Sequence, residues 1–594
     1  MTSTKNPPAD SPETGALGMV TETDVMVTMR DGTQLACTLF RPDAPGTYPG
    51  LLLRTPYRKP ESGYERYVRA GFAVVTQDSR GRYASEGDWV PFTVEDTGDA
   101  EDGFDSVEWL AQQPWCNGRI GTLGASYNAW MQWQLAKLKP PHLQAMCAYT
   151  IPRELTAVDW PGGFRPGRRI KWWLTSMAPD LRRRAGWPPP HTPEQARAMW
   201  DEGIEGEGHW IGTMPWIDVC RHLPPGLASY ARDWLKHPSR RAWKMDEIHH
   251  MVDVPNLDFS GWYDHCNDSV HHLRLMQMNG GSQTARRQTR LVVGPWNHPG
   301  LGQRRCGDID FGPQAQVDLP GLIIAWFDHW LKDLDNGVET EPPVRYFSMG
   351  EQRWRSASTW PPAEAMQKAL HLHSDGGAAL PTESATGSAT GSATRSGGLL
   401  ESVPDIDGQH DFLYDPVNPV PTLWGKEWFT SPADRRKLDH RNDILVYRSE
   451  PLEAAMDIAG APQSTLFVST TAADTDVFVR LVDEHPDEAD AGGAALEICY
   501  GMVRLRHRNG LDQDDLVPAG EIVEIVVELG PTACRFAVGH RIRVEVTSSD
   551  FPNHDRNHNT GGNDLAESVL IPATTTIHHG AKRASRILLP VMPA

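Results

Sequence analysis

The hydrophobic positions of the chain change their period three times. Between residues 20 and 57 they alternate in short runs, VTETDVMVTM, LACTLFRP and GLLLRTPY, with a turn at Arg30, Asp31 and Gly32. Alternation punctuated by turn residues predicts hairpin strands. Beyond Tyr57 helix-like and strand-like runs take turns. YERYVRAG and SYNAWMQWQLAKL space their apolar residues as helices do, and the acidic stretch EDTGDAEDGFDSVEWLAQQ opens another helix. FAVVTQD and RIGTLG read as short buried strands, and the same alternation returns at VPNLDFSGWYD, RLVVGPWNH and LPGLIIAWFDHWLKD. Strands alternating with helices imply a parallel sheet with helices on both faces, an α/β core.

Two stretches break that rhythm. Residues 153–249 are rich in Trp, Pro and Arg, carry helical pieces such as TPEQARAMW and contain no convincing buried strand, so they read as a helical cap inserted in the core. From about residue 366 short apolar runs (LHLH, TLFVST, DVFVRLVD, EIVEIVVELG, RIRVEVTSS) are separated by Gly, Pro and Asp turns. That texture predicts an all-β sandwich or jelly roll. The expected divisions are a disordered lead-in at 1–19, core at 20–152 and 250–352, cap at 153–249, and a C-terminal β-sandwich at 353–594. Within the last, SATGSATGSATRSGG has no side chains able to build a core, so a flexible loop is expected at 382–398.

Composition narrows the function classes. In 594 residues there are 57 basic and 77 acidic side chains, a net charge of −20. This excess disfavours nucleic acid and anionic membranes, both of which select a basic face. No apolar run is long enough to span a bilayer, and MTSTKNPPADSPETGALG lacks the apolar segment of a secretory signal. A cytoplasmic protein is expected. The eight scattered cysteines form no CxxC pair and read as reduced thiols.

The chemistry starts at GTLGASYNA. Ser126 sits between the strand Ile120–Leu123 and a helix beginning near Tyr127, the context of a nucleophile elbow. Gly124 supplies the small residue two positions before the serine, but two positions after stands Asn128, so the G-x-S-x-G pattern is broken. On spacing alone Ser126 reads equally as a nucleophile or as a helix N-cap. Downstream, Asp264 ends LDFSGWYD and His298 ends LVVGPWNH. Either one alone is an ordinary loop residue. Together with Ser126 they follow the order Ser, acid, His, each after a strand, where α/β sheets place their sites. A serine hydroxyl needs an imidazole to take its proton, and the imidazole needs a carboxylate to fix its tautomer. The backbone N–H of Tyr127 then falls where an oxyanion-hole donor belongs.

DSRGRYASEGDW, VEWLAQQPWCNGRIGTLGASYNAW, SGWYD, GPWNH and the late segment TSSDFPNHDRNHNTG together resemble the cocaine esterase group. That group sits with X-Pro dipeptidyl-peptidases and α-amino acid ester hydrolases, and the resemblance runs from about residue 22 to 590. It implies an α/β-hydrolase core, an inserted helical cap and a C-terminal jelly roll, with Ser126, Asp264 and His298 as triad. It also implies that Tyr57 of RTPYRK is the second oxyanion-hole donor, and that an acyl-serine forms without metal or organic cofactor. The family often forms dimers, and a homodimer is compatible with the resemblance. Ala129 stands where the family usually has glycine. His265, Cys266 and Asn267 replace the acidic residues with which α-amino acid ester hydrolases hold a substrate ammonium.

The remaining features weigh less. The histidine pairs His249–His250, His271–His272, His371–His373 and His554–His558 predict no metal site, because helix breakers and strand geometry separate their side chains. The basic runs Arg165–Lys171 and Arg182–Arg184 read as solvated faces or carboxylate partners rather than an anion site. Trp172, Trp173 and His265 are the candidate substrate contacts. The expected activity is hydrolysis of a small carboxylic ester, or of an amide. The alternatives are an X-Pro exopeptidase and a catalytically inactive protein that binds a ligand through its β-domain.

Overall fold

The computed structural model describes residues 18–93, 98–201, 210–236, 243–374, 396–423, 431–486 and 493–593. The first core segment forms β1 (Met19–Thr28), β2 (Gln34–Pro42), β3 (Tyr48–Thr55), α1 (Glu65–Arg69), β4 (Ala73–Asp78), α2 (Asp99–Ala111), β5 (Cys116–Ala125), α3 (Tyr127–Ala136) and β6 (Leu143–Tyr149). After the cap come β7 (Leu257–Gly261), β8 (Arg290–Gly294), a helix at Leu319–Lys332, β9 (Val344–Ser348) and β10 (Arg353–Ala357). Strands run β1-β2-β4-β3-β5-β6 in one ladder and β7-β8-β9-β10 in another. β1, β2 and β10 are antiparallel to their neighbours and the rest pair in parallel.

The two ladders meet between β6 and β7, where Met146 bridges Asn256. There the Asn256 side chain stands in for backbone. Its Oδ1 accepts from Ala148 N at 2.8 Å and its Nδ2 donates to Ala148 O at 2.9 Å. A buried sheet margin is thus satisfied without a ladder, and the sheet is continuous from β4 to β9. Neighbouring residues of one strand feed opposite faces, as strand geometry dictates. Leu52 packs in the cluster with Val107, Leu110 and Trp130 of α2 and α3. Leu51 and Leu53 pack in the other, with Val68 of α1 and Trp326 and Phe327 of the later helix. Being covered on both sides, β4 buries all six residues and shows no polar alternation.

The described part of 153–249 is helical, including Gly167–Trp172, Ala178–Arg184, Pro193–Asp201 and Pro225–Lys236. Its core is aromatic: Trp173, Trp210 and Trp234 are fully buried. After Lys332 the described residues contain no α-helix, and strands from Met366–His373 to Arg586–Val591 build a C-terminal β region. Three differences from the sequence expectations concern boundaries. β1 begins at Met19, and residues 1–17 of the expected lead-in lie outside the described residues. β10 pairs with β9, so the core sheet continues past the division expected at 353. Of the loop expected at 382–398, Ser396–Gly398 instead belongs to the strand Ser396–Leu400, parallel to Leu445–Arg448 and antiparallel to Met366–His373. Its ladder hydrogen bonds on both sides override a composition that reads as linker. The rest of that loop lies outside the described residues.

Candidate active site

Ser126 stands at the C-terminal end of β5, one residue before α3, with φ 59° and ψ −124°. That left-handed backbone is rare for a non-glycine residue and is tolerated where the surroundings enforce it. Here Ser126 N donates to Tyr149 O at 2.9 Å while Ala129 N and Trp130 N return to Ser126 O. The side chain makes no capping hydrogen bond to the helix, which removes the N-cap reading. The broken elbow motif also has a physical reason. Gly124 has φ +142°, and a Cβ there would lie 2.7 Å from the Asn128 Cβ. One glycine of the usual pair makes room for the side chain that replaces the other.

Asp264 and His298 reach the same C-terminal edge of the sheet, beyond β7 and β8. Past the strand ends the two loops stay zipped: Trp262 N donates to Gly294 O and Tyr263 N to Trp296 O, each at 3.0 Å. Gly261 permits this approach, since a Cβ there would fall 2.1 Å from Trp296 O. Trp262 Nε1 is anchored on Phe347 O at 2.8 Å, and Tyr263 Oη on Glu497 O of the β region at 3.1 Å. His298 Nδ1 then lies 2.9 Å and 3.1 Å from the two carboxylate oxygens of Asp264. Asp264 is fully buried, and its Oδ1 also accepts from Cys266 N at 2.7 Å. Because a carboxylate only accepts, Nδ1 carries the proton of this hydrogen bond.

Tyr57 follows β3. Its hydroxyl accepts from Trp172 Nε1 at 3.2 Å and interacts with the Ser126 side chain. Burial pushes the phenol above its ordinary value, so it stays protonated and able to donate. Tyr127 is fully buried and its hydroxyl accepts from Phe92 N at 2.7 Å. Phe92 stacks on Tyr127 with centroids 4.2 Å apart and also on Trp172, making an aromatic wall that continues to Trp130 and Trp243. Phe92 and Trp243 carried no sequence signal, since an aromatic in a polar loop has neither motif nor period.

The candidate substrate contacts separate. Trp172 belongs to this wall. Trp173, the next residue, is fully buried in the cap core, 5.0 Å edge-on to Trp234, and does not face the site. Adjacent helical residues point about 100° apart, so the pair splits. His265 packs its ring 4.4 Å from that of His298, with Nδ1 3.5 Å from Asp264 Oδ1. Burial, with Arg168 adding to it, holds His265 well below its usual value, so it is neutral. Cys266 is buried, and its thiol is pushed well above the ordinary range by burial and by Asp264, which leaves it a poor nucleophile.

The basic runs differ: Arg183 and Arg184 are exposed and Arg183 pairs with Asp180, as expected, whereas much of the run Arg165–Lys171 is buried. Arg165 is buried with its guanidinium on Leu235 O at 2.9 Å, and Arg168 donates to Val158 O. Arg169 pairs with Asp159 at 2.7 Å and lies over the Trp172 ring. Arg182 and Arg184 bond mainly to backbone carbonyls. All eight cysteines are free and buried. The histidine pairs predict no metal site, and of them only His558 enters a cluster with ligand-type side chains among the described residues; the other clusters use histidines outside those pairs. Asp264, His265, Cys266 and His298 offer ligand atoms within 4.8 Å of one another, as do Asp483, His485 and His540, and His558, Asp564 and Glu567. A cleft of about 440 Å³ between cap, core and β region reaches Asp264 and His265, but Ser126 is not among its lining residues. Among the described residues no helix is long and apolar enough to cross a membrane.

A parallel sheet with a strained serine at one strand end, and a histidine–aspartate pair beyond two later strands, is the architecture of an α/β-hydrolase. Residues 31–300 match the X-Pro dipeptidyl-peptidase (S15) family, and residues 336–588 match the X-Pro dipeptidyl-peptidase C-terminal non-catalytic domain. The chain is 33% identical to the cocaine esterase of Rhodococcus sp. (strain MB1 Bresler) over 596 residues, covering 96% of this chain and 98% of that one. An aminopeptidase from a marine sediment Thaumarchaeota archaeon superposes with a TM-score of 0.79 at 22% identity, covering 100% of this chain and 99% of that one. An α-amino acid ester hydrolase does so with 0.73 at 23% identity, covering 98% of each chain. These two likenesses bear on the fold. The chain belongs to the cocaine esterase family of serine hydrolases.

Proposed function

We propose that this enzyme hydrolyses carboxylic esters by acyl transfer through Ser126. The observation that carries the reading is the serine held at φ 59°, free of capping duty and in contact with Tyr57, on the sheet edge that also bears the His298–Asp264 pair. His298 Nε2 takes the hydroxyl proton as Ser126 Oγ attacks the acyl carbon, and Asp264 stabilises the imidazolium. The tetrahedral oxyanion is met by the Tyr57 hydroxyl and the Tyr127 N–H. Trp172, by donating to the Tyr57 oxygen, leaves the phenolic proton for the oxyanion. His298 then protonates the departing alcohol, and water repeats the cycle on the acyl-serine without metal or organic cofactor.

The acyl side is bounded by Phe92, Tyr127 and Trp172, which favours an apolar or aromatic group. Neutral His265 and buried Cys266 offer no anion to an ammonium, and nearby Asp159 and Asp268 already pair with Arg169 and Arg153. That argues against α-amino esters and X-Pro peptides. The test is a fluorophosphonate probe together with an aromatic ester and an X-Pro anilide. Stoichiometric labelling, lost in Ser126→Ala, with turnover of the ester alone is expected. A folded wild-type chain that resists the probe would overturn the mechanism, and faster turnover of the anilide would overturn the substrate class.

A further inference from the structure

The Asp264 loop holds more ligand chemistry than a triad needs. Its Asx turn, closed by Cys266 N on Asp264 Oδ1 at 2.7 Å, brings the carboxylate, the His265 ring and the Cys266 thiol to one side. Asp264 Oδ1 is 2.9 Å from His298 Nδ1 and 3.5 Å from His265 Nδ1, and the two rings stand 4.4 Å apart. Four groups of three chemistries therefore offer donor atoms within 4.8 Å of one another. Tetrahedral zinc holds N and O ligands at about 2.0–2.2 Å and S at about 2.3 Å, which sets its ligand atoms roughly 3.3–3.8 Å apart. Side-chain rotations of about 1 Å close the difference. One thiolate, two imidazoles and a carboxylate form a set that suits zinc rather than magnesium or calcium.

The approach is also built. The 440 Å³ cleft reaches Asp264 and His265 from the side of the β region, and five carboxylates line it (Glu154, Asp264, Asp268, Glu497, Glu528) against two guanidiniums. Asp268 is paired with Arg153, Glu497 with Arg480 and Glu154 with Lys244, so the pull on a dication comes chiefly from Asp264 and Glu528. Ser126 is not part of it, so an ion arriving this way does not compete with substrate for the serine.

We propose that Asp264, His265, Cys266 and His298 form a reversible inhibitory site for zinc or a similarly soft divalent cation. Binding forms a Zn–S bond as the Cys266 thiol releases its proton to solvent, the proton on His298 Nδ1 moves to Nε2 so that Nδ1 can ligate, and no electron changes hands. The ion takes Asp264 and His298 out of acid–base work, so turnover stops while the pocket around Ser126 stays intact. The effect on turnover rests on the proposed triad, but the binding site itself does not.

The experiment uses the full chain, freed of metal by chelator. Zinc is titrated against ester hydrolysis, and cobalt(II) serves as a spectroscopic probe. One equivalent of zinc should abolish kcat with KM unchanged, and a chelator should restore it. Cobalt should give a thiolate-to-metal charge-transfer band in the wild type and none in Cys266→Ser or Cys266→Ala. Outer-shell partners of a metal are each worth about 10–100-fold in affinity, so loss of this direct ligand should weaken zinc inhibition by about 100-fold or more. Cys266→Ser should keep its ester hydrolysis, with Cys266→Ala as the second variant in case serine disturbs the loop. Wild-type turnover indifferent to excess zinc, or Cys266 variants as zinc-sensitive as the wild type, would overturn the proposal. A chain without esterase activity would sink the proposed function instead, and the cobalt band would still decide the site.

Discussion

The sheet edge around Ser126 and the seam where the cap meets the β region are both buried and polar, yet they are built on opposite principles. At the edge a few groups make one or two hydrogen bonds each, inside an aromatic wall. At the seam the charged groups are paired many times over, although both ring nitrogens of His554 and the amide oxygens of Asn553 and Asn559 are buried without a hydrogen-bond partner. Arg504, 2% exposed, reaches Asp476 at 2.9 Å and 3.0 Å, Asp555 at 3.2 Å and Asp564 at 3.4 Å. Asn557 ties Asp474 to Asp476, and Arg506 bonds Asp474. The segment TSSDFPNHDRNHNTG supplies much of this network. It also pairs with the cap, Gly167 N on Asn553 O and Asp555 N on Arg165 O, both at 2.9 Å. The seam thereby fixes the start of helix Gly167–Trp172, whose last residue holds the Tyr57 hydroxyl. A densely charge-paired network positions; a sparse one reacts.

The contrast breaks most sharply at Ser126. Ser126→Ala should lower kcat/KM about 10⁴-fold or more and leave the thermal midpoint within a degree or two, because the hydroxyl caps nothing. A stability loss as large as the activity loss would place the serine in the scaffold. Arg504→Met is the counterpart at the seam. It removes the guanidinium that three buried carboxylates share, and breaking a buried pair costs about 3–5 kcal/mol. Chemical denaturation should show that loss, while fluorophosphonate still labels the folded fraction. Tyr57→Phe comes third. It should cost about 10²–10³-fold in kcat with KM and stability nearly unchanged. A rise in KM alone would assign Tyr57 to substrate packing.

The two regions were also unequally legible from sequence. The alternation of strands and helices and the edge followed from periodicity, because β4, the later half of β5 and β8 carry apolar runs and Ser126 and His298 follow two of them. The strand order did not, since β3 pairs in parallel with β4 and β5 rather than as a hairpin with β2. Nor did the seam. Arg504, Asp476 and Asp555 are far apart in the chain, and become partners only when strands Asp476–Glu484 and Ala495–Arg504 pair and the segment carrying Asp555 folds against them. The same reason hides the cysteine–histidine cluster at Asp264, since His298 joins it from another loop. Trp172 and Trp173 were equivalent as letters, and only the helix turn between them sends one to the site and the other into the cap core. His249–His250 and His271–His272 read as pairs of neighbours, whereas the structure pairs His249 with His272 across the core.

That cross-core pair sharpens the comparison by pH, with the smallest of the expected effects. His272 Nε2 lies 2.9 Å from Ile151 O, so it donates there, and its Nδ1 accepts from His249 Nε2 at 2.9 Å. Both rings pack against Trp133. Burial lowers His249 from 6.5 to about 4 and holds His272 well below 6.5. A histidine that binds its proton more weakly folded than unfolded makes unfolding take up protons. Stability is therefore full above pH 6.5 and falls as pH drops from 6.5 toward 4. The seam answers both ways: burial raises Asp476 to about 7, so it favours the folded state more as pH falls from 7 toward 3.8 and offsets part of the histidine effect. Burial alone would raise Asp550, but Arg480 outweighs it and carries the carboxylate below 3.8, so its contribution persists through that window and fails only in stronger acid. Thermal midpoints measured from pH 7 to 4 should decline in the wild type. In His249→Gln they should start lower at pH 7 and decline less, because one of the two acid-sensitive rings is gone. Parallel curves for the two proteins would mean that carboxylates, not the histidine pair, set the acid limit of the core.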